Sequence, residues 1–173
     1  MPRNRTKAPG REPRWRDAPE GVNRVSGQLR KANGADLPAI EGLLGASALP
    51  VDGVRDNLVN FFVYENNAGA LLGVVGMELY GKAGLLRSTV VVESARGQGI
   101  AAKLIDRAVA HAREKGCNAL YLLTLDADRY FKRFGFSPIA REDAPPDIRS
   151  SAEFTTLCPD SAMPMKRRLG ELS

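Results

Sequence analysis

The stretch Arg96-Gly97-Gln98-Gly99-Ile100-Ala101 lies between a valine-rich run and an amphipathic helical pattern. Glycines let the backbone approach a ligand with no Cβ in the way, so that several N–H groups can converge on one anion. The helix that follows adds its first-turn N–H groups and the positive end of its dipole. The stretch therefore predicts a site for phosphate oxygens, and a diphosphate is the expected ligand.

The segments on both sides of this loop predict a strand–helix–strand crossover. Residues 89–92 favour an extended backbone, and apolar residues then repeat at helical spacing with charged residues on the opposite face. The apolar positions are Ile100, Leu104, Ile105, Ala108, Val109 and Ala112. Gly116 is expected to end this helix, and Ala119–Leu125 is apolar enough for a central strand.

Two other phosphate-binding classes compete for the loop. Gly97-x-Gly99-x-x-Ala102 also satisfies the dinucleotide fingerprint, which requires a ribose-binding acid about 20 residues later, at the end of the next strand. That distance falls at a helix end, from Glu114 to Cys117, and no lysine follows in the P-loop pattern. Both classes are disfavoured, whereas a simple tight turn stays open until the remaining chain is considered.

Composition indicates one globular domain. The chain has 173 residues, of which 43% are hydrophobic and 26% charged, as in ordinary soluble proteins. We find no apolar run of membrane-spanning length and no secretory signal pattern. Cys117 and Cys158 show no metal-ligand spacing, and His111 is expected on a helix surface. We therefore expect a cytoplasmic protein with no metal and no membrane partner.

The positive charge is concentrated in residues 1–28. Seven basic and three acidic residues give this segment four of the chain's five net positive charges. It also holds four prolines and few aliphatic residues, so we expect a disordered basic arm before a domain at 29–173. Such an arm can bind nucleic acid, but the domain itself is nearly neutral, and no nucleic-acid partner is expected.

Hydrophobic periodicity and breakers predict the remaining elements. They are a strand Gln28–Ala32, a helix capped by Asp36 and running to Leu44, a short helix from Asp52 toward Asn60, strands Phe61–Tyr64, Ala70–Tyr80 and Leu85–Val92, a short helix Asp128–Phe134, and a last edge strand Ala162–Leu169. A hairpin turn is expected at residues 65–69.

This order, with Arg96-x-x-Gly99-x-Ala101 after the fourth strand, resembles the GNAT superfamily of acetyl-CoA-dependent N-acetyltransferases. Residues 130–136 resemble its short fourth helix and Gly-Phe entry into the next strand, and residues 29–40 resemble its opening. The resemblance covers residues 28–169. It implies an α/β (α+β) fold, with a mixed, mostly antiparallel sheet of about six to seven strands and about four flanking helices. The segment 144–162 further resembles the subfamily named for arsenic-resistance N-acetyltransferases.

The resemblance implies acetyl-CoA as co-substrate. The implied pyrophosphate-binding residues are Arg96, Gly97, Gln98, Gly99, Ile100, Ala101 and Ala102. Thr89, Val90 and Val91 would pair with the pantetheine arm where the fourth strand splays from the fifth. An N–H near Val90 or Val91 would polarise the thioester carbonyl during direct attack by a neutral amine.

The chain departs from the family at the proton donor. Phe131 stands where the usual tyrosine protonates the leaving thiolate, and Thr124 replaces a frequent asparagine of the fifth strand. Tyr130 is the substitute candidate, although one step along a helix turns a side chain by about 100°. A thiol with a pKa near 8.5 can also leave without a dedicated acid.

Residues outside the loop are the candidates for binding and deprotonating the amine that accepts the acetyl group. Glu78 is the first candidate for the catalytic base and shares a strand face with Tyr80, the alternative being a solvated carboxylate. Arg87 either binds a substrate carboxylate or is salt-bridged, and Ser88 and Glu153 complete the candidate acceptor site.

Together these residues predict an N-acetyltransferase acting on a primary amine of a small or amino-acid-like molecule. The arsenic-resistance resemblance adds a toxic or arsenic-related amine, although the chain has no chelating thiol cluster. The alternative is a non-catalytic acyl-CoA-binding sensor module, which Phe131 motivates. The sequence leaves a monomer and a homodimer open.

Overall fold

The computed structural model describes residues 25–170. The predicted basic arm, residues 1–28, lies outside the described residues except at its end, where Gly27 and Gln28 already belong to the first strand.

A seven-stranded sheet forms the centre of the fold, in the order β1-β2-β3-β4-β5-β7-β6. The strands are β1 Gly27–Lys31, β2 Phe62–Asn66, β3 Leu71–Tyr80, β4 Ala83–Val91, β5 Ala119–Thr124, β6 Ser137–Pro138 and β7 Met163–Arg168; the α-helices are α1 Leu37–Ala46, α2 Ile100–Glu114, α3 Asp128–Lys132 and α4 Pro146–Arg149. Among the strand pairs within residues 25–170, only β4 and β5 run parallel. The predicted mixed, mostly antiparallel architecture is confirmed.

The two faces of the sheet hold separate apolar clusters. On one face α2 packs through Leu104 and Ile105 against residues such as Met77 and Leu86. On the other face α1 packs through Ile40, Leu44 and their neighbours against β2 and β3. A third cluster, around Ile148 and Phe154, covers the start of β4 and β5 on this second face. Both faces are therefore covered, as the apolar central strands require.

Two predicted elements are wrong. Residues 52–57 form turns followed by a 3₁₀ turn, Leu58–Asn60, and not a short helix, because Gly53 takes a φ of 78° that no helix allows. The last strand, β7, is not at an edge, since it lies between β5 and the two-residue β6. So short a strand carries no periodic signal, and the order of strands depends on contacts that periodicity does not encode.

Asp36 does not cap α1 with its side chain. Its carboxylate accepts two hydrogen bonds from Arg30, of 2.7 and 2.8 Å, and one from the Asn33 N–H. The Asn33 side chain in turn accepts from the Ala35 N–H, which completes a capping box before α1. A bidentate contact with a guanidinium is the stronger interaction, so it determines where the carboxylate points.

The strand β4 is irregular along both of its edges. Toward β5, pairing covers only Ala83–Leu85 against Ala119–Tyr121, and the two strands then separate. Toward β3, Gly76 pairs with Arg87 but Val74 pairs with Val90, so Val75 faces two residues of β4. This β-bulge and the separation from β5 together shape the wall of the candidate site.

Candidate active site

A groove of about 1480 Å³ opens where β4 separates from β5. Its lining combines the end of β4, the glycine loop, the start of α2, and parts of α3 and β7. The predicted cofactor-binding residues in the lining are Thr89, Val90, Val91, Arg96, Gly97, Gly99, Ile100, Ala101 and Ala102. The structure therefore brings nine residues of the predicted set to one surface.

The glycine loop has the backbone that its sequence predicts. Gly97 and Gly99 have φ angles of 77° and 79°, in the left-handed region that favours glycine. A Cβ at either position would meet no atom within 4 Å, so this side of the backbone is open. Gly99 precedes α2 and supplies no side-chain cap to its first-turn N–H groups. The loop can thus present backbone donors to an anion.

Gln98 is the predicted loop residue that is missing from the groove lining. Its side-chain oxygen accepts a 2.8 Å hydrogen bond from the Val25 N–H instead. Arg96 also has a backbone partner, because its Nε donates to the Val91 carbonyl over 3.0 Å. These two bonds connect the loop to β4 and to the residues before β1.

The direction of the Val91 N–H follows from its neighbour. The Val92 N–H donates a 2.9 Å hydrogen bond to the carbonyl of Leu72, which belongs to β3. In an antiparallel pair, successive residues point their N–H groups to opposite sides of the strand. The Val91 N–H therefore points away from β3, toward the side where β5 has separated. The Val91 carbonyl points to the same side, where it accepts a hydrogen bond from Arg96.

Aromatic residues of α3 form another part of the lining. Tyr130 and Phe131 both border the groove, with ring centroids 5.8 Å apart, and Phe134 lies 5.2 Å from Tyr130. Burial raises the pKa of the Tyr130 hydroxyl, which stays protonated at neutral pH. Thr124 accepts from the Ala127 N–H over 3.0 Å and so shapes the turn before α3.

The four predicted acceptor-side residues also come together, on the face of the sheet opposite α2. Arg87 Nη1 lies 3.2 Å from Glu78 Oε2, and Arg87 Nε lies 3.2 Å from Glu153 Oε1. The same Nε donates to Ser88 Oγ over 3.1 Å. In this structure Arg87 is salt-bridged, and its side chain is only 3% exposed.

Two further side chains complete this cluster. The Tyr80 hydroxyl donates to Glu78 over 2.8 Å, and the Cys158 thiol donates to Glu153 over 3.0 Å. Burial and these carboxylates raise the pKa of Tyr80 and of Cys158 to about 12 each. Both groups stay protonated, so both carboxylates act as acceptors. Nothing in the spacing of Cys158 predicted its place here, because the contact depends on the irregular chain after α4.

His111 is buried, with 3% of its surface exposed, so the predicted surface position is wrong. Its Nε2 lies 2.9 Å from Asn60 Oδ1, and its ring packs edge-on against Phe62 at 5.1 Å. On α2 it follows Ala108 by three residues, which places it on the buried face of the helix.

No group of three potential metal ligands among His, Cys, Asp and Glu occurs within residues 25–170. In that same part of the chain, no helix combines the length and apolarity that crossing a bilayer requires.

Comparisons with known proteins place this geometry in a family. The model of the acetyltransferase (GNAT) family matches residues 39–136, and the chain belongs to this family. An uncharacterized N-acetyltransferase of Chlorobaculum tepidum is 32% identical over 128 residues, which cover 69% of this chain and 81% of the relative. The family model and this relative therefore agree that the protein is a GNAT-family acetyltransferase.

Solved structures show the same fold. N-acetylglutamate synthase from Neisseria gonorrhoeae, in complex with coenzyme A and N-acetyl-glutamate, matches with a TM-score of 0.73 at 19% identity. The match covers 84% of this chain but only 35% of that synthase, so the chain spans about a third of its length. Rv2747 from Mycobacterium tuberculosis, also in complex with CoA, matches with a TM-score of 0.71 at 23% identity, over 82% of this chain and 99% of Rv2747.

Proposed function

We propose that this protein transfers the acetyl group of acetyl-CoA to a primary amine of a small or amino-acid-like molecule. The observation that carries the proposal is the groove at the end of β4. There the glycine loop, the left-handed Gly97 and Gly99, and the outward Val91 N–H all border one open space. The complexes of structural neighbours with coenzyme A support the identity of the donor.

In the proposed donor site, N–H groups of the loop and of the first turn of α2 bind the pyrophosphate. The pantetheine arm lies along residues 89–91, on the side of β4 from which β5 has separated. The thioester carbonyl then accepts from the Val91 N–H, which stabilises the negative charge that develops on that oxygen in the tetrahedral intermediate.

The acceptor amine arrives as an ammonium and must lose a proton before it attacks. Glu78, through an intervening water or directly, takes this proton. The amine nitrogen bonds to the thioester carbon, the tetrahedral intermediate gives a second nitrogen-bound proton to water, and the C–S bond breaks. Tyr130 protonates the leaving thiolate, and its raised pKa suits a donor that is protonated at neutral pH. The products are the N-acetyl amine, free coenzyme A and one proton.

The test is acetyl-CoA turnover against a panel of amines, with free thiol and N-acetyl product measured in parallel. The panel contains simple primary amines, amino acids, and an amine-bearing organoarsenical, which addresses the resemblance to arsenic-resistance N-acetyltransferases. We expect one equivalent of thiol for each acetylated amine. Tight CoA binding with no thiol release for any amine would support a sensor module and contradict the proposal.

A further inference from the structure

Arg87 contacts groups from four separate parts of the chain. Besides Glu78 and Glu153, its Nη2 donates to the Pro50 carbonyl over 3.2 Å. The loop after Pro50 packs so closely that a Cβ at Gly53 would lie 3.1 Å from Arg87 Nη1. A buried cation with this many fixed acceptors has one orientation, so it can hold a neighbouring group in place.

The fourth contact is with the next residue, Ser88, whose backbone is unusual. Ser88 has a φ of 57°, in the left-handed region that non-glycine residues enter only at an energetic cost. Such a conformation persists when the surrounding structure over-determines it. The bond from Arg87 Nε to Ser88 Oγ is the side-chain interaction that supplies this restraint.

Ser88 is also the first of the two β4 residues that face Val75 in the β-bulge. A bulge increases the local twist and re-aims the residues that follow it. Those residues are Thr89, Val90 and Val91, which form the groove wall. The left-handed Ser88 therefore lies in the bulge directly before the residues of the groove wall.

We propose that Arg87 is a positioning residue for acetyl transfer. It keeps Ser88 left-handed, and the bulge then aims the Val91 N–H at the thioester carbonyl; Arg87 itself touches neither substrate. This inference rests on the proposed function, since it assigns the Val91 N–H a role in that reaction.

The charges around Arg87 determine which substitution is informative. Arg87→Ala would leave Glu78 and Glu153 buried together without their cation, which is strongly destabilising. Arg87→Lys keeps the charge, but one ammonium cannot reproduce the planar fork that reaches Ser88, Pro50 and both carboxylates. The lysine variant therefore loosens the bulge while it preserves the charge of the cluster.

We expect Arg87→Lys to lower kcat by about tenfold or more, the scale of a misplaced oxyanion donor. The Kd for CoA, from calorimetry, should stay within about twofold, because the pyrophosphate loop is unchanged. Ser88→Val should lose kcat similarly, since β-branched residues resist a positive φ, whereas Ser88→Asn should lose less, because asparagine tolerates this region. Amide resonances of residues 89–91 should shift more in the lysine and valine variants than in the asparagine variant.

A lower melting temperature with unchanged kcat and unshifted amides would overturn the inference, because Arg87 would then be a structural ion pair only. A raised KM for the amine with unchanged kcat would also overturn it, since that places Arg87 in acceptor binding. Wild-type protein that transfers no acetyl group contradicts the proposed function instead. The amide resonances still test the positioning of residues 89–91 in that case.

Discussion

Leu85 and Tyr121 are the last pair of residues that join β4 to β5. Beyond them the two parallel strands separate, and the groove begins at Thr89, four residues further along β4. Within residues 25–170, backbone groups on that side of β4 beyond Leu85 have no strand partner, so a ligand with amide groups can pair with them. This separation makes a central strand of the sheet into one wall of the proposed cofactor site.

The glycine loop is the first test of this account. Gly99→Ala forces an L-residue into a φ of 79°, at a cost of about 1–2 kcal/mol. If this strain alters the loop that we propose binds the pyrophosphate, KM for acetyl-CoA should rise by about tenfold. Steady-state kinetics with acetyl-CoA as the varied substrate measure this directly.

Gly116 provides the matched control for Gly99. It has a φ of 82°, and a Cβ there would also meet no atom within 4 Å, but it lies at the far end of α2. Gly116→Ala should lose comparable stability and leave KM within about twofold of wild type. Equal increases in KM for the two variants would show that the effect reflects stability alone.

Tyr130 is the second test. Tyr130→Phe should lower kcat by about tenfold near neutral pH, because the thiolate then leaves unprotonated. The defect should shrink as the pH rises past about 8.5, where a thiolate is a good leaving group. Tyr121→Phe is the control, since Tyr121 is buried in the cluster around Ile148. A Tyr130→Phe profile that is parallel to wild type at every pH would argue against this role.

Glu78 is the third test. Glu78→Gln removes the base but keeps the shape, so kcat/KM for the amine should fall by about 100-fold. Activity should then rise with pH more steeply than in wild type, because only the unprotonated amine in solution reacts. Comparable activity in the glutamine variant would exclude Glu78 as the base.

Tyr80→Phe distinguishes the role of Glu78 as a base from an effect of the geometry of its cluster. It removes the 2.8 Å hydrogen bond to Glu78 but leaves the carboxylate and its pairing with Arg87. We expect a reduction of only about threefold in kcat/KM, as for the loss of one orienting hydrogen bond. A loss as large as that of Glu78→Gln would assign the effect to the geometry of the cluster.

His111 should make stability pH-dependent. Burial, then Arg107 and Lys115, lower the pKa of His111 against the weaker opposing effect of Glu114, so the folded protein keeps it neutral. The unfolded chain binds a proton there below about pH 6.5. The free energy of unfolding therefore falls as the pH drops through 6.5, which urea denaturation at several pH values measures.

His111→Gln is the comparison for this pH dependence. Its amide can still donate to Asn60 but does not titrate, so its unfolding free energy should change less between about pH 7.5 and 5.5. The slope of the unfolding free energy against pH is the informative quantity, because the substitution also changes packing against Phe62 and so shifts the absolute stability. Identical slopes in the two proteins would assign the pH dependence to other groups.

Local signals in the sequence predict most of the fold and the left-handed backbone of the glycine loop. The α2 face, from Ile100 to Ala112, follows hydrophobic periodicity, and Gly116 ends the helix with its positive φ. The backbone of the loop at Gly97 and Gly99 is predictable because the spacing of the glycines directly encodes where a positive φ is tolerated. Such features need only neighbouring residues to form.

The remainder depends on contacts between distant residues. Arg87 and Glu153 are 66 positions apart, and neither spacing nor periodicity distinguishes their salt bridge from a contact with a substrate carboxylate. Helical spacing after Ala108 already places His111 on the buried face of α2, but its partner Asn60, 51 residues away, is not visible in that spacing. The sequence predicts Asp36 as a local cap, but Arg30 of the neighbouring strand binds its carboxylate. For Arg87 and Asp36 a tertiary partner outweighs the local preference.

The most direct test of the central claim is simultaneous measurement of free coenzyme A and N-acetyl product by mass spectrometry, for wild type and Gly99→Ala. We expect wild type to form both in equal amounts with at least one primary amine, and the variant to need about tenfold more acetyl-CoA for half-maximal rate. Wild-type protein that binds coenzyme A but acetylates no amine would contradict the account.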